Sequence, residues 1–321
     1  MNFKKVLLMF LSSVSFITSK EIVKGINWFG FETEYNNLQC TWTHDINWHL
    51  DNIKQLGFSH IRLPFSLDFI KNDNWVNMDK FFELSKEKNL KVVLDFHRLH
   101  NNKQNFKPYD DGISGYKFED FLTGWNIIAE RYKNYDNLIA LDIFNEYQGP
   151  DYNEWNRIVK DTLLYLEEKF PNRFEYYVGG TNWGGNIHNM DQYDLPFSDR
   201  ITYTIHKYHF SDSEPYEIKW DFAFGSHENV NVGEWGYISN SDYESKWAEK
   251  FVDYLITKNK RDTYFWTYSF NSGDTGGVLL EDCHTVDDKK MKLLHKLWNE
   301  NKLLTTVDYY HTLRGTKPYS Q

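Results

Sequence analysis

The sequence predicts one domain folded as a (β/α)8 barrel, the TIM barrel class. Short apolar runs alternate with helix-length segments along the chain, and eight strands can be counted in this way. The alternation extends over about 250 residues, the length that such a barrel requires. No internal repeat, low-complexity run or Pro/Ser-rich linker interrupts it, so we expect no appended binding module. An open, doubly wound sheet is the structural alternative.

The predicted elements follow one another in a regular order. The strands are short apolar or β-branched runs at residues 23–30, 60–66, 91–97, 138–144, 174–180, 201–208, 229–236 and 263–269. Helices are predicted at residues 46–56, 78–88, 118–132, 154–170, 216–224, 243–257 and 287–299, with an irregular connection at 181–199. Gly57 stops the first helix, and Pro64 marks the end of the second strand. Each strand is therefore followed by a segment that can cover the sheet.

The first twenty residues have the layout of a secretory signal peptide. Two lysines precede an apolar run at residues 6–16, and small polar residues follow it. The run is too short for a membrane span, and cleavage is expected near Ser19. We therefore assign residues 1–19 as a signal peptide and 20–321 as the barrel domain, and we expect a secreted protein without a membrane anchor. An uncleaved signal anchor is the alternative.

Charge and composition exclude some functions and favour others. The formal net charge is -10 and the pI is about 5.6, which argues against a polyanionic partner such as nucleic acid. Aromatic residues make up 18% of the chain, with 12 Trp and 22 Tyr. Trp and Tyr in such numbers suit a groove on which flat, hydroxyl-rich rings can stack.

The fourth strand carries the first candidate functional residues. Its apolar run, 138–144, is typical of a strand buried on both faces, and it ends abruptly at Asn145 and Glu146. A carboxylate at the mouth of a barrel is costly to bury without a purpose, although a surface loop would explain Glu146 equally well. Adjacent residues on a strand point to opposite faces. Both can face the barrel mouth only if the strand is broken there, as at a bulge.

Polar or aromatic residues also end other strands, and the carboxyl ends of barrel strands are the usual place of catalysis. Each of these residues alone has an ordinary structural explanation, such as a hydrogen-bonded core histidine. Because six of the eight strands deliver such a residue to the same rim, a shared site is favoured. The candidates are Arg62, His97, Asn145, Glu146, His206, Tyr208, Glu234 and Trp266.

Glu146 and Glu234 reach this rim from the fourth and seventh strands. Glycoside cleavage needs such a pair: an acid that protonates the leaving oxygen, and a carboxylate that attacks the anomeric carbon or activates water. In retaining enzymes the two carboxyl groups are about 5 Å apart. The acid must hold its proton near neutral pH, which burial and neighbouring charges can arrange.

The sequence resembles glycoside hydrolase family 5, specifically its endo-β-1,4-glucanase (cellulase) branch. The resemblance covers the whole predicted barrel domain in the right order. The stretches that carry it are GINWFGFET at 25–33, LGFSHIRLPFS at 56–66, VVLDFHR at 92–98, DIFNE at 142–146, NWGGN at 182–186, IHKY at 205–208, VGEWG at 232–236 and WTYSFNSGDTGGVL at 266–279.

The resemblance implies a role for each candidate. Glu146 corresponds to the general acid/base and Glu234 to the nucleophile of a retaining double displacement. Asn145 would bind the sugar 2-hydroxyl, while Arg62 and Tyr208 would hold Glu234 ionised. The remaining family positions would line the sugar subsites, with Trp266 as a stacking floor; they are His97, His206, Trp266, Trp42 and Trp183.

The chain departs from the family pattern beside the site. Tyr147 and Gln148 follow the Asn-Glu pair, where the family usually has Pro and His. Leu99 stands where Pro is usual, and the loop before the first helix reads LQCTWTHD instead of a His-Gly-Leu-Trp pattern. None of these changes touches the eight candidates, so they bear on substrate preference.

Other residues have ordinary interpretations. Glu32 and Glu34 are expected to be structural or solvated. The Gly-rich run 271–277 lacks the Lys and helix start of a P-loop, which favours a loop that closes the cleft. No His/Cys/Asp cluster has metal-ligand spacing, so we predict no catalytic metal and no cofactor.

Cys40 and Cys283 are the two cysteines of the chain. In a closed barrel the first and eighth strands are neighbours, so the loops that carry these residues share one rim. A disulfide between them is geometrically possible, and two free thiols are the alternative.

The predicted function is that of a secreted, monomeric endo-β-1,4-glucanase. Hydrolysis of another β-linked polysaccharide, such as mixed-linkage glucan, xyloglucan or mannan, is the nearest alternative, because cleft loops set this preference. A non-catalytic carbohydrate-binding barrel is a further alternative, against which the retention of both carboxylates argues. An adhesive or structural wall protein would be expected to contain repeats or linkers.

Overall fold

The computed structural model describes residues 21–112, 115–149, 151–188, 190 and 195–299. The predicted signal peptide, residues 1–19, lies outside this range. Among the described residues, no helix is both long and apolar enough to cross a membrane.

Eight parallel strands form a closed barrel in which each strand pairs with its neighbours in sequence and β8 pairs with β1. The predicted barrel is thereby confirmed and the open sheet is excluded. The strands are β1 (Lys24–Asn27), β2 (His60–Ser66), β3 (Lys91–Arg98), β4 (Leu138–Asp142), β5 (Glu175–Gly179), β6 (Ile201–Lys207), β7 (Val230–Trp235) and β8 (Thr263–Phe265).

Helices surround the barrel and bury their apolar faces against it. They are α1 (Ile46–Gln55), α2 (Leu67–Asn72), α3 (Val76–Glu87), α4 (Phe118–Tyr132), α5 (Tyr152–Lys169), α6 (Tyr216–Phe224), α7 (Asp242–Thr257) and α8 (Asp288–Trp298). The short helix α2 was not predicted. It follows β2 without a loop and begins at Ser66, whose hydroxyl accepts a hydrogen bond from the Phe69 amide at 3.1 Å.

Several predicted strands were too long by one or two residues, and the first and eighth were too long by four. β1 ends at Asn27 and β8 at Phe265. Beyond Phe265 the regular ladder ends, but single backbone bonds continue: the Trp266 amide donates to the carbonyl of Trp235 on β7 at 2.7 Å, and the Tyr268 amide donates to the carbonyl of Asn27 on β1 at 2.9 Å. Apolar residues continue past the end of each ladder, so the sequence pattern does not mark where pairing stops.

Irregular register at the carboxyl ends of the strands redirects side chains toward the barrel mouth. The pairing shifts at Phe65/Ser66 between β2 and β3, and at Ile205/His206 between β6 and β7. The second shift sets His206 opposite Glu234. Such irregularities turn side chains away from strict alternation, and here they bring two of the candidate residues together.

A disulfide joins Cys40 to Cys283, with 5.5 Å between the two Cα atoms. It links the loop after β1 to the loop after β8 on the rim that carries the candidate site. Of the two alternatives left open by the sequence, the structure therefore contains the bonded one.

Candidate active site

The chain leaves the fourth strand just before the Asn145–Glu146 pair. β4 ends at Asp142, and Glu146 has a left-handed backbone with φ of 49°. Non-glycine residues rarely adopt this conformation, and it is concentrated at functional sites. The alternation of a regular strand no longer applies here, so both side chains reach the barrel mouth. The break is a turn after the strand rather than a bulge within it.

Tyr147 follows this turn and packs away from the cleft. Its ring is fully buried and stacks on Trp155 with 4.7 Å between the ring centroids. Its hydroxyl donates to Glu154 Oε2 at 2.8 Å, and its carbonyl accepts from the Trp183 amide at 3.1 Å. Tyr147 therefore ties the turn that carries Glu146 to α5 and to the loop after β5.

Arg62 on β2 is fully buried and connects the residues of the site. Its Nη1 donates to Glu234 Oε1 at 2.6 Å, and its Nη2 donates to Asn145 Oδ1 at 2.9 Å. Nε donates to Asp142 Oδ2 at 2.8 Å, and Nη2 lies 3.1 Å from Asp95 Oδ1. A buried guanidinium needs such partners to offset its loss of hydration. The network fixes Glu234 and Asn145 relative to each other.

Glu234 on β7 is surrounded by hydrogen-bond donors. Besides the bond from Arg62 to Oε1, Tyr208 Oη donates to Oε2 at 2.8 Å. His206 Nδ1 lies 3.5 Å from the same Oε2. Both carboxylate oxygens therefore face donors, an arrangement that stabilises the ionised form.

Glu146 has a different environment. His206 Nδ1 lies 3.1 Å from its Oε1. The facing oxygens of Glu146 and Glu234, together with this nitrogen, lie within 4.8 Å of one another. The side chain of Glu146 is 19% exposed, against 4% for Glu234. Glu146 thus faces both the open cleft and the second carboxylate.

The pKa values of the two carboxyl groups are shifted in opposite directions. Burial raises the pKa of Glu146, and the negative charge of Glu234 raises it further. Burial also acts to raise the pKa of Glu234, but the positive charges of His206 and Arg62 outweigh it and hold that pKa below its usual range. Burial acts to lower the pKa of His206, yet the two glutamates raise it above the ordinary value.

Hydrogen bonds determine the tautomer of His97. Arg62 donates to Asn145 Oδ1, so the Asn145 Nδ2 group points at His97 Nε2, 3.4 Å away. Nε2 must accept this bond, and the ring proton is then on Nδ1, which lies 2.6 Å from Asp95 Oδ2. Burial lowers the pKa of His97 well below its ordinary value. A neutral, oriented imidazole therefore faces the cleft.

Trp266 lies at the end of β8 with its ring nearly parallel to that of His97. The ring centroids are 5.5 Å apart and the planes differ by 11°. The Trp266 ring also stacks on Phe29, with 5.7 Å between the ring centroids and 15° between the planes. The indole Nε1 donates to Ser272 Oγ at 3.1 Å, which fixes the ring orientation. An indole held in this way can stack against the apolar face of a sugar ring.

Most of the predicted residues surround one cleft of about 820 Å³. It is lined by His97, Asn145, Glu146, Trp183, His206, Tyr208, Glu234 and Trp266, and Arg62 lies directly beneath Glu234. Trp183 is 49% exposed, as a stacking platform would be. Trp42 lies outside this cleft. It is 61% exposed and lines a neighbouring groove of about 530 Å³ with Tyr35 and Asn271.

Sequence reasoning missed several residues of the site. Asp95 and Asp142 lie on β3 and β4 and hold Arg62, and burial raises their pKa values to about 7 and about 6, against the opposing charge of Arg62. Asp95 could have been found from the sequence, because it lies two residues before His97 and therefore shares its face of the strand. Phe210 and Phe222, each 60% exposed, line the cleft beyond Trp183. Their loop and helix carried no recognisable motif.

Glu32, expected to be structural or solvated, is buried and accepts a hydrogen bond from the Gly30 amide at 2.7 Å. Burial raises its pKa to about 7. This hydrogen bond lies within the loop that carries Glu32, so it agrees with the structural role expected for this residue.

In the part of the chain that the structure describes, two groups of side chains converge closely enough to hold a metal ion. They are Asp95, His97 and Glu234, and Glu146, His206 and Glu234. Sequence spacing did not reveal them because each group combines residues from distant segments, such as β3 and β7. The Arg62 guanidinium contacts Glu234 at 2.6 Å, and this fixed positive charge opposes a divalent cation at either position. The absence of a catalytic metal stays a prediction.

Comparison with known proteins identifies the family of the chain. The sequence profile of the family described as cellulase (glycosyl hydrolase family 5) matches residues 19–272. An endoglucanase of Paenibacillus polymyxa is 29% identical over 85% of this chain and 82% of its own length. The major extracellular endoglucanase of Xanthomonas campestris pv. campestris is 26% identical over 86% of this chain and 67% of its own.

Solved structures show the same fold. The catalytic domain of the major endoglucanase from Xanthomonas campestris pv. campestris superposes with a TM-score of 0.79 at 24% identity, over 88% of this chain and 96% of that one. An endocellulase of Pyrococcus horikoshii, crystallised in complex with cellotetraose, gives a TM-score of 0.78 at 23% identity, over 86% and 92% of the two chains. Since the family profile covers most of the sequence, the protein belongs to the cellulase family, glycosyl hydrolase family 5.

Proposed function

We propose that the protein is a secreted, endo-acting β-1,4-glucanase that hydrolyses internal bonds of a glucan with retention of anomeric configuration. The observation that carries the proposal is a pair of facing glutamates whose pKa values are shifted in opposite directions. One oxygen of each carboxyl group lies within 4.8 Å of the other, which is compatible with the separation of about 5 Å in retaining enzymes and shorter than the roughly 6.5 to 9.5 Å that an inverting enzyme needs for its water.

In the first step, Glu234 attacks the anomeric carbon while Glu146 gives its proton to the leaving glycosidic oxygen. The bonds from Arg62 and Tyr208 hold Glu234 ionised and limit its rotation. Asn145 lies beside the attacking carboxylate through its bond with Arg62, where its amide can bind the sugar 2-hydroxyl. The products are the shortened chain with a free hydroxyl and a glycosyl ester on Glu234.

In the second step, Glu146 accepts a proton from water as the water oxygen attacks the anomeric carbon. The ester bond breaks, Glu234 regains its charge, and the sugar leaves with its original configuration. Glu146 is ionised at this stage, and its contact with the raised-pKa imidazole of His206 supports that change of state.

Aromatic residues on both sides of the glutamates support a long, flat substrate. Trp266 provides the floor beside Glu234, and the groove with Trp42 extends the surface next to it. Trp183 extends the surface on the side of Glu146. Because exposed rings lie on both sides of the reacting pair, a glucan chain can be bound at internal positions, as endo-action requires.

Secretion has support of its own. The leader at residues 1–19 has signal-peptide layout, and the bond between Cys40 and Cys283 is typical of an oxidising compartment. Detection of the mature protein outside the cell, with its amino terminus near residue 20, is the expected result. A mature chain that begins at Met1 would contradict it.

Product analysis tests the substrate and the mechanism together. We expect purified protein to lower the viscosity of carboxymethylcellulose much faster than it releases reducing ends, and to form the β-anomer first when products are followed by NMR. Mixed-linkage glucan, xyloglucan and mannan are assayed in parallel, and the Glu234→Gln variant controls for contaminating activity. Faster hydrolysis of mannan or xyloglucan would reassign the substrate, and initial formation of the α-anomer would exclude retention.

A further inference from the structure

Lys290 on α8 is a buried lysine that the proposed reaction does not use. It is 3% exposed, and its Nζ donates to the carbonyls of Thr275 at 2.7 Å and Gly277 at 2.8 Å. An ammonium group is strongly hydrated in water, so its burial is costly unless a specific contact compensates it. Here the compensation comes from two backbone carbonyls of the loop after β8.

The surroundings of Lys290 make this contact strong. The rings of Tyr237 and Phe265 each lie 5.9 Å from Nζ. Burial lowers the pKa of Lys290 to about 8, and the charges of Asp287 and Glu244 partly oppose that effect. In a site with little water, the attraction between an ammonium and aligned carbonyl groups is larger than at the surface.

The loop that Lys290 holds connects to the floor of the cleft. Ser272 Oγ accepts the indole N–H of Trp266 at 3.1 Å and lies 3.2 Å from Thr275 Oγ1. The Gly276 amide donates to the Ser272 carbonyl at 2.9 Å. A continuous set of contacts therefore runs from Lys290 through residues 272–277 to Trp266.

We propose that Lys290 is a positioning residue, which fixes the loop at residues 272–277 so that Ser272 holds Trp266 flat as a sugar-stacking floor. The proposal rests on the proposed function, since it assigns a sugar to the face of Trp266. Stacking on a floor contributes to binding in the ground state and the transition state alike, so a misplaced floor raises KM more than it lowers kcat.

The test compares three single substitutions and one double substitution. Lys290→Met removes the ammonium, and Ser272→Ala removes the hydroxyl that holds Trp266 while leaving the buried lysine in place. Lys289→Met is the matched control, because this neighbouring lysine on the same helix bonds at 3.2 Å to the Ser239 carbonyl, away from the loop. Kinetics on a soluble cello-oligosaccharide and hydrogen exchange of the segment 266–277 are measured for each.

We expect Lys290→Met to raise KM about tenfold, the equivalent of losing one charge-assisted contact, with kcat changed less than about threefold. Ser272→Ala should raise KM about threefold, as for one neutral hydrogen bond. In the double variant, which combines Lys290→Met with Ser272→Ala, the two increases in KM should not multiply, because both substitutions act through Trp266. Exchange of the segment should accelerate in Lys290→Met and stay at the wild-type rate in Lys289→Met.

Other outcomes overturn the proposal. A lowered melting temperature with wild-type KM in Lys290→Met would show a purely structural lysine. If that variant does not fold, a wild-type KM in Ser272→Ala rejects the link to Trp266 by itself. Effects that multiply in the double variant would show two independent routes. A wild-type protein without glucan hydrolysis would instead reject the proposed function, and hydrogen exchange would still report whether Lys290 holds the loop.

Discussion

The regions around Glu234 and Glu146 differ sharply although the facing oxygens lie within 4.8 Å. Glu234 lies within strand β7, is 4% exposed and has donors at both oxygens. Glu146 lies on a left-handed turn after a strand, is 19% exposed and shares one contact with His206. The same kind of side chain thus has its pKa lowered in one place and raised in the other. The difference comes from the neighbours that the barrel supplies, chiefly the positive charges of His206 and Arg62 beside Glu234.

Removing the nucleophile should have the largest effect. Glu234→Gly is expected to lower kcat on the order of 10⁴-fold or more, because the covalent step has no substitute. Azide, which fits the space left by the side chain, should restore part of the turnover on an activated substrate. Since Glu146 remains, NMR should identify the product as a glycosyl azide of inverted configuration. Rescue that gives the retained anomer would mean that the two roles have been exchanged.

Removing the acid should have a smaller effect that depends on the substrate. Glu146→Gln is expected to slow natural glucans about 10² to 10⁴-fold, the usual contribution of general acid catalysis. Aryl cellobiosides with good leaving groups should lose much less in the formation of the glycosyl ester, since they need no proton. Pre-steady-state release of the phenol measures this step. Glu32→Gln is the control, because this buried carboxyl group bonds within its own loop. Equal losses of Glu146→Gln on both kinds of substrate would contradict the acid role of Glu146.

Weakening the donors around Glu234 should have the smallest effect and should appear in the pH profile. Tyr208 donates to ionised Glu234 and so helps to lower its pKa; Tyr208→Phe removes this contribution and raises that pKa. Because the nucleophile must be ionised, the acid limb of the kcat/KM profile should move to higher pH, with a loss of about tenfold on that limb. The alkaline limb, which requires protonated Glu146, should move less.

The control for this change is Tyr132→Phe, which removes a tyrosine–carboxylate bond of the same 2.8 Å length, to Asp79 on the outer helices. It should lower stability without moving either limb. An unchanged acid limb in Tyr208→Phe would show that Tyr208 orients Glu234 without affecting its ionisation.

The order of strands and helices could be predicted because each element carries its own apolar period. The exact ends of the elements could not. The regular ladders of β1 and β8 stop early although apolar residues and single backbone bonds to the neighbouring strands continue. Helix α2 was missed because its six residues directly follow a strand, and Ser66 is both the last residue of that strand and the cap of the helix.

The site was predictable where one residue marks a strand end, and less so where contacts join distant segments. Arg62 and Glu234 were found from their strands, but the ion pairs of Arg62 with Asp95 and Asp142 unite three strands and leave no local pattern. The left-handed turn at Glu146 is another example, since nothing in the residue type requires it. Lys290 lies on α8, outside the motifs that mark the cleft, and its link to Trp266 exists only through the folded loop.

The disulfide has a consequence for the protein under tension. Strands β2 to β8 lie between Cys40 and Cys283, whereas β1 and α8 lie outside that closed loop. A force that pulls the two ends of the chain apart can therefore detach β1 and unwind α8, and it is then carried by the sulfur–sulfur bond. The remaining seven strands stay out of the path of the force until that bond is reduced.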